Sequence, residues 1–362
     1  MSRLLIMAAG TGGHIFPGLA IAETMKTRGW QVSWLGTAHG MERDIVPKYG
    51  IEMDTIDFTG VRGKGLTHTL QGAFKLTASF ASCLSILARR KPDVVLGMGG
   101  YVTVPGGLMA KMRGVPLVLV NADAALLLSN KTLMPMAKRV LFGFPGDFGV
   151  AAGKATVTGN PVRKEIVALP LPAPRYAERS GPLRILVIGG SLGAKALNDC
   201  VPAALALMPD AQRPVVTHQS GKQHIEVLRA AYAKAEVKAE VVDFIDDISR
   251  CYAEADLVIC RAGAITISEL TAAGIASVLV PLIASTTTHQ RDNARWMANQ
   301  DAAIHMPQAQ LSPRGLADLL EGMTREKCSG MAQAAYKNGR RDANDAIADV
   351  LEKLANSATN TA

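Results

Sequence analysis

Short apolar runs alternate with longer segments of helical period along the whole chain. In the first half the runs at residues 4–8, 31–35, 94–96, 117–120 and 139–142 predict strands, and in the second half those at 185–188, 215–218, 241–244, 257–260 and 277–281 do the same. Short β-rich runs followed each time by a longer helical pattern are the order of strand and crossover helix. The expected architecture is therefore α/β, with mostly parallel, doubly wound sheets whose ligands sit at the carboxyl ends of the strands. One design occurs twice. Arg3-Leu-Leu-Ile-Met-Ala-Ala-Gly10 runs into Thr-Gly-Gly-His14, and 181 residues later Arg184-Ile-Leu-Val-Ile-Gly-Gly190 runs into Ser-Leu-Gly-Ala-Lys195. Each copy reads as a buried strand, a glycine turn and a helix start. The repeat predicts two similar domains, and the cleft between them is the default site. The boundary is expected at residues 161/162, with Gly159-Asn-Pro-Val-Arg163 and the proline-rich stretch 169–174 as the connection. Residues 332–354 are helical in pattern, and the tail from 355 is expected to fray.

Composition narrows this picture. The 362 residues are 48% hydrophobic and 19% charged, enough for two cores at about 150 residues per domain. The longest apolar stretches, 115–120 and 277–284, fall far short of the roughly 20 residues that cross a bilayer, so a membrane-spanning anchor is not expected. The amino-terminal run leads into a glycine loop and not into a small-residue cleavage site, so it reads as a strand and not an export signal. Five scattered cysteines without Cys-x-x-Cys spacing suggest neither a disulfide framework nor a zinc site, and a reducing cytoplasm fits them. The net charge of +8 is unevenly placed: residues 1–160 hold 17 Lys and Arg against 9 Asp and Glu, whereas residues 161–362 hold 22 of each. The basic half points to an anionic partner: nucleic acid, an acidic membrane surface or a phosphorylated substrate. Nucleic acid is the weakest of these, because the excess comes without interleaved aromatics or a known module.

The candidate chemistry lies in four glycine loops: Gly10-Thr-Gly-Gly-His14, Gly97-Met-Gly-Gly-Tyr101, Gly189-Gly-Ser-Leu-Gly-Ala194 and Arg261-Ala-Gly-Ala264. Such loops aim backbone N–H groups and a helix N-terminus at phosphate. Two nucleotide classes fail on spacing. A Walker loop needs Gly-Lys-Ser/Thr, but Lys195 is flanked by Ala194 and Ala196. A dinucleotide fold wants an acid at the end of the second strand, which here closes Leu35-Gly-Thr37. In Cys260-Arg-Ala-Gly-Ala-Ile-Thr-Ile-Ser-Glu269, a helix starting near Ile265 could hold a pyrophosphate while Glu269 accepts from both hydroxyls of a ribose. The residues thus point to a nucleoside diphosphate conjugate.

Ala9-Gly-Thr-Gly-Gly-His-Ile-Phe-Pro-Gly18, Asp93-Val-Val-Leu-Gly-Met-Gly-Gly-Tyr101, Gly159-Asn-Pro-Val-Arg163, Gly189-Gly-Ser-Leu-Gly-Ala194, Phe244-Ile-Asp-Asp247, Cys260 to Glu269 and His289-Gln290 follow one another in the order of a known motif series. This series resembles the MurG family, the lipid II-forming N-acetylglucosaminyltransferases of bacterial peptidoglycan synthesis. The resemblance runs from Leu4 to about Ala335. It implies a GT-B fold of two Rossmann-like domains facing across a cleft: an acceptor- and membrane-facing domain, 1–161, onto which a helix at about 341–356 packs back, and a UDP-GlcNAc-binding domain, 162–340. The implied reaction passes GlcNAc from UDP-GlcNAc to the C4 hydroxyl of the muramoyl sugar in undecaprenyl-diphospho-muramoylpentapeptide, with inversion. Carried over position by position, Thr11, Gly12 and Gly13 line the donor sugar and diphosphate, and Arg163 and Ser191 meet the phosphates or the sugar. Ile245 meets the uracil through its backbone. Ala264, Ile265, Thr266, Ile267 and Ser268 cradle the diphosphate, Glu269 binds the ribose and Gln290 the GlcNAc hydroxyls. Gly97, Gly99, Gly100 and Tyr101 face the acceptor pyrophosphate. His14 is the expected general base, since direct displacement needs a proton acceptor that titrates near neutral pH. No cofactor and no metal are implied, and no Asp-x-Asp motif stands in the sequence to hold one. The family's His-Glu-Gln-Asn after the fourth strand is here Val120-Asn-Ala-Asp123, which puts Asp123 in the place of a donor-sugar contact. Leu192 replaces a usual Gln, Thr287 and Thr288 a usual acidic pair, and Ala9 a usual Gly.

The stretch 70–90 reads as a helix with Leu76, Phe80, Leu84 and Leu87 on one face, Leu70 and Phe74 off it, and Arg89-Arg-Lys91 at its end. With Lys111, Arg113, Lys138 and Arg139 as neighbours, it predicts peripheral docking on anionic lipids at the cytoplasmic face of the inner membrane. Cell-wall synthesis proteins are further partners that the resemblance allows. Two other readings remain open: a different GT-B enzyme acting on UDP-GlcNAc, such as an epimerase or a glycolipid synthase, and a binding protein that kept the donor fold without turnover.

Overall fold

The structure, a computed structural model, describes residues 1–57, 66–151, 153–190, 192–282 and 289–359, with side chains for all of these except 66–76, 358 and 359. The chain divides into two units, Met1–Val162 with Asp342–Ala362, and Arg163–Arg341.

Unit 1 is built on strands β1 (Arg3–Ala8), β2 (Gln31–Thr37), β3 (Glu52–Ile56), β4 (Val94–Gly99), β5 (Leu117–Asn121), β6 (Arg139–Phe142) and β7 (Ala155–Val157), with helices α1 (Gly12–Thr27), α2 (Glu42–Ile45), α3 (Leu66–Arg90), α4 (Thr103–Met112) and α5 (Leu128–Leu133). The strands form one parallel sheet in the order β3-β2-β1-β4-β5-β6-β7. Strand β1 explains the layering. Leu4, Ile6 and Ala8 face one side and pack with α1, whereas Leu5 and Met7 face the other and pack with α3 and α4. Both faces are thus covered, as a parallel sheet requires.

Unit 2 repeats the plan with β8 (Arg184–Ile188), β9 (Val215–Gln219), β10 (Glu240–Val242), β11 (Leu257–Cys260), β12 (Ala276–Leu279) and β13 (Ala303–His305). Its helices are α6 (Lys164–Val167), α7 (Pro172–Ala177), α8 (Lys195–Leu207), α9 (Ile225–Lys234), α10 (Ile248–Glu254), α11 (Ala264–Ala273), α12 (His289–Ala298), α13 (Pro313–Glu321) and α14 (Arg325–Asn338). The sheet order is β10-β9-β8-β11-β12-β13, again parallel. In each unit the winding reverses between the first and fourth strands, so β1 with β4, and β8 with β11, define the switch points whose loops are the natural ligand sites.

Three expectations change. Stretch 169–174 is no linker: Pro172 starts α7, Tyr176 is buried in the unit 2 core, and Arg175 donates to the carbonyls of Ala273 and Gly274 at the end of α11. The single helix read over 332–354 is two, α14 and α15 (Ala343–Thr359), broken where a Cβ on Gly339 would lie 2.4 Å from the Thr271 carbonyl oxygen. The tail does not fray at 355, because Ile347, Ala348, Leu351 and Ala355 of α15 pack into the unit 1 core beside α1. Arg28 clamps the same helix through Asp345, Asp349 and Glu352. Within unit 1, Asn344 donates to the Val162 carbonyl, which ties the point where the chain leaves the unit to the point where it returns.

Candidate active site

At the unit 1 switch point the chain leaves β1 through Ala9, turns at Gly10 with φ +97°, and enters α1 after Thr11. Thr11 caps α1 with extended backbone and no side-chain bond, so the first-turn N–H groups at Gly12 and Gly13 are left for a ligand. The helix can start this close to the sheet because Gly18 lies against Trp34, where a Cβ would sit 2.6 Å from the indole. His14, half-buried in the first turn, points its Nδ1 at the Ala9 carbonyl oxygen, 3.1 Å away. A carbonyl only accepts, so Nδ1 carries a hydrogen, and in the neutral ring the lone pair is then on Nε2.

The second loop of this switch point is shaped around the first. Gly99 has φ +121°, and a Cβ there would lie 2.6 Å from the His14 ring; Gly100 has φ +88°, and its Cβ would meet the Ala9 carbonyl oxygen at 2.4 Å. Gly97 lies further back in β4, whose last residue is Gly99, and is packed against Thr103 and Leu119 within the sheet. Tyr101 is exposed. The altered segment after β5 has a structural account. Asn121 is fully buried, donates to the carbonyls of Asp123 and Ala125, and accepts from the Leu127 N–H and from Asn130, so it braces the loop and does not face a ligand. Asp123 is half-buried.

The sequence reading missed Glu42. Strand β2 ends without an acid of its own, but the Glu42 carboxylate from α2 comes to that place, accepting from the Gly10 N–H and from the Thr37 N–H and hydroxyl. The signal was present in the spacing Gly36-x-x-x-Gly40-x-Glu42: a Cβ on either glycine would collide with the Glu42 side chain.

At the unit 2 switch point, β11 ends at Cys260 and α11 begins at Ala264 after Gly263, which has no capping side chain. The N–H groups of Ala264, Ile265 and Thr266 are the unpaired donors of the first turn. Ile267 already donates its N–H to the Gly263 carbonyl and its side chain is in the core, and the Ser268 hydroxyl bonds back to Ala264. The expected five-residue cradle therefore narrows to three. Asn293 holds the turn by donating to the Ala262 carbonyl, and Arg261 donates to the Val280 carbonyl.

Glu269 lies a turn further along α11 than a first-turn acid would, and it is buried. Arg163 donates to its Oε1 through Nε (3.1 Å) and an Nη (2.7 Å), and the Tyr252 hydroxyl donates to Oε2 (3.3 Å). Burial raises the carboxyl above its ordinary range, with Arg163 pulling the other way. Ile245 is half-buried on the loop ahead of α10 and lines a cavity of about 680 Å³ with Leu186, Val242, Phe244 and Arg250. Gln290 accepts from the Leu282 N–H at 2.8 Å. Ser191, Thr287 and Thr288 lie outside the described residues.

Two family models match the chain: the glycosyltransferase family 28 N-terminal domain over residues 4–142 and the C-terminal domain over 184–350. The chain belongs to glycosyltransferase family 28. Relatives named UDP-N-acetylglucosamine–N-acetylmuramyl-(pentapeptide) pyrophosphoryl-undecaprenol N-acetylglucosamine transferase match this family 28 chain over nearly its full length. The one from Janthinobacterium sp. (strain Marseille) is 77% identical, covering 98% of this chain and 99% of the relative, and the one from Herminiimonas arsenicoxydans is 75% identical with the same coverage. The crystal structure of Acinetobacter baumannii MurG is similar with a TM-score of 0.84 at 37% identity, covering 98% of this chain and 100% of that one. The GT-B fold is thereby shown for this family 28 member.

Membrane docking through the helix that ends at Arg89-Arg-Lys91 loses part of its basis. Arg89 and Arg90 are paired with Asp54, and Arg90 also with Glu52, while Phe80, Leu84 and Leu87 pack on the unit 1 core. The side chains of Leu70, Phe74 and Leu76 lie outside the described residues. Among the described residues, no helix is long and apolar enough to cross a membrane.

Proposed function

We propose that this family 28 chain transfers GlcNAc from UDP-GlcNAc to the C4 hydroxyl of the muramoyl sugar in undecaprenyl-diphospho-muramoylpentapeptide, converting lipid I to lipid II in peptidoglycan synthesis. The observation that carries this is 77% identity across 98% of the chain with a protein bearing that activity in its name. The transfer is a single displacement with inversion. The C4 oxygen forms its bond to the anomeric carbon as the bond to the UDP β-phosphate oxygen breaks, UDP leaves with the electron pair, and the hydroxyl proton passes to a base.

His14 suits that base, since its Nδ1 is committed to the Ala9 carbonyl and Nε2 is left to receive the proton. Negative charge growing on UDP suits the first-turn N–H groups of Ala264, Ile265 and Thr266 and the positive end of α11. Glu269 is placed to accept from ribose hydroxyls. On that reading the donor takes over the Oε1 atom now held by Arg163, and the freed guanidinium turns to the diphosphate. Ile245 supplies backbone polar groups for the uracil and Gln290 an amide for the sugar. Gly12 and Gly13, with Thr11 and Asp123, serve the transferred sugar, and Gly99, Gly100 and Tyr101 the acceptor pyrophosphate.

The acceptor is lipid-linked, so unit 1 must meet a membrane, and we assign it peripheral docking on anionic inner-leaflet lipids. Unit 1 carries 18 Lys and Arg against 13 Asp and Glu. On α4 and at the start of α5, Met112 and Leu128 are 71% and 76% exposed, near in sequence to Lys111, Arg113 and Lys131. Large exposed apolar side chains among basic ones suit a headgroup layer. The test of the activity is formation of labelled disaccharide from UDP-GlcNAc and a short-chain lipid I analogue.

A further inference from the structure

The Ala9–Gly10 peptide group is held at both ends by ionisable side chains. Its carbonyl oxygen accepts from His14 Nδ1 at 3.1 Å, and its N–H donates to Glu42 Oε2, also at 3.1 Å. Glu42 has no exposed surface. Its other oxygen, Oε1, accepts from the Thr37 N–H at 2.8 Å and the Thr37 hydroxyl at 2.6 Å. The chain leaves room for this carboxylate and little else: a Cβ on Gly40 would lie 2.1–2.4 Å from it, and one on Gly36 2.8 Å from its Cγ. Two backbone N–H groups converge on its two oxygens, an arrangement that only a carboxylate satisfies. A glutamine would oppose its own NH₂ to one of them.

We infer that Glu42 is a positioning residue for His14, acting through the Ala9–Gly10 peptide; the inference rests on the reading of His14 as the general base. A carboxylate that accepts from an amide N–H draws the amide electrons toward the carbonyl oxygen, and hydrogen bonds in such a chain strengthen one another. The Ala9 oxygen becomes a better acceptor, which holds the imidazole hydrogen on Nδ1 and keeps Nε2 as the lone pair. When Nε2 takes the proton of the attacking hydroxyl, the charge that spreads over the ring reaches a peptide already polarised to receive it. The order is carboxylate, peptide, imidazole, with a peptide group standing where a catalytic triad has direct contact between acid and histidine. Gly99 completes the device by letting the ring lie flush against the second loop.

The test is Glu42→Gln in the full-length protein, read in two ways. In two-bond ¹H–¹⁵N spectra of histidine-labelled protein, with His14 assigned by its loss in His14→Gln, wild type shows the Nδ1–H tautomer and Glu42→Gln shifts the population toward Nε2–H. In transfer assays, with active protein counted by UDP-GlcNAc binding stoichiometry, kcat falls about tenfold to a hundredfold while the KM for UDP-GlcNAc stays within about twofold. Gly40→Ala, which pushes a methyl group into the carboxylate without changing its charge, moves both readouts the same way and decides the matter if Glu42→Gln does not fold. An unchanged tautomer overturns the inference even if kcat falls, since Glu42 would then only brace the loop. A fully active His14→Gln refutes the base reading alone, because the tautomer shift tests the coupling independently of turnover.

Discussion

Gly99 and His14 are packed so closely that a single methyl group on the glycine would lie 2.6–2.7 Å from the imidazole Cδ2 and Nε2 atoms. With φ at +121°, Gly99 also occupies backbone space that other residues enter only under strain. Gly99→Ala is therefore expected to displace His14 and to cost about 2–4 kcal/mol of stability from strain and overpacking together. Thermal unfolding with kcat at a permissive temperature checks this; an alanine variant with wild-type kcat would separate the second glycine loop from the histidine.

His14→Ala should lower kcat about a hundredfold or more and leave the KM for UDP-GlcNAc nearly unchanged, because the proton acceptor matters only in the transition state. Steady-state kinetics with the donor varied at saturating acceptor make the comparison, and a rise in KM at constant kcat would assign His14 to binding instead.

Glu269→Ala is expected to act in the opposite sense. It removes the acceptor for the ribose hydroxyls and frees Arg163, so the KM for UDP-GlcNAc should rise about tenfold with a smaller change in kcat. Direct binding of UDP by calorimetry reports the same loss without the acceptor; undiminished affinity would remove Glu269 from the donor site.

His218 gives a stability prediction. It is fully buried, with Nδ1 at 2.9 Å from the Tyr232 hydroxyl and Nε2 at 3.2 Å from Asn198 Oδ1, and burial pushes its pKa down to about 3. The folded state keeps the ring neutral while the unfolded chain takes up a proton below about pH 6.5. Stability is thus full above that pH and falls as the solution is acidified toward pH 3, by about 2 kcal/mol between pH 7 and pH 5. Gln offers both hydrogen bonds without titrating. Denaturant unfolding should therefore show the stability gap between wild type and His218→Gln shift in favour of the variant by about that amount at pH 5.

Docking on lipid predicts that Met112→Glu and Lys111→Glu each reduce co-sedimentation with anionic vesicles at low salt while leaving UDP binding intact. Binding should also fall as salt is raised. Vesicle binding unaffected by either substitution would move the docking surface away from α4.

What the sequence disclosed follows from which groups were buried. Most central strands announce themselves as apolar runs because both faces are covered, and each was found to within about three residues of its ends, β4 running on to Gly99 past the expected 96. The three strands it missed, β3, β7 and β13, are all edge strands. Their patterns, Glu-Met-Asp-Thr-Ile, Ala-Thr-Val and Ala-Ile-His, are short and mixed, because an edge is partly open to solvent. The glycine loops were legible as loops, but not the reason for each glycine, since Gly99 and Gly100 make room for residues some 85 to 91 positions earlier. The pairing of the two arginines in the basic run at 89–91 was hidden for a similar reason: Asp54 and Glu52 come from a strand the pattern did not reveal. Glu42 escaped notice because a carboxylate was sought at the end of β2 itself, whereas the chain delivers it from the following helix.

The most direct test of the account is transfer of labelled GlcNAc from UDP-GlcNAc to a short-chain analogue of undecaprenyl-diphospho-muramoylpentapeptide, with EDTA present and water as the control acceptor. The account predicts a β-linked disaccharide product with the wild-type protein and its near-absence with His14→Ala. Binding of UDP-GlcNAc without any transfer to this acceptor would contradict it.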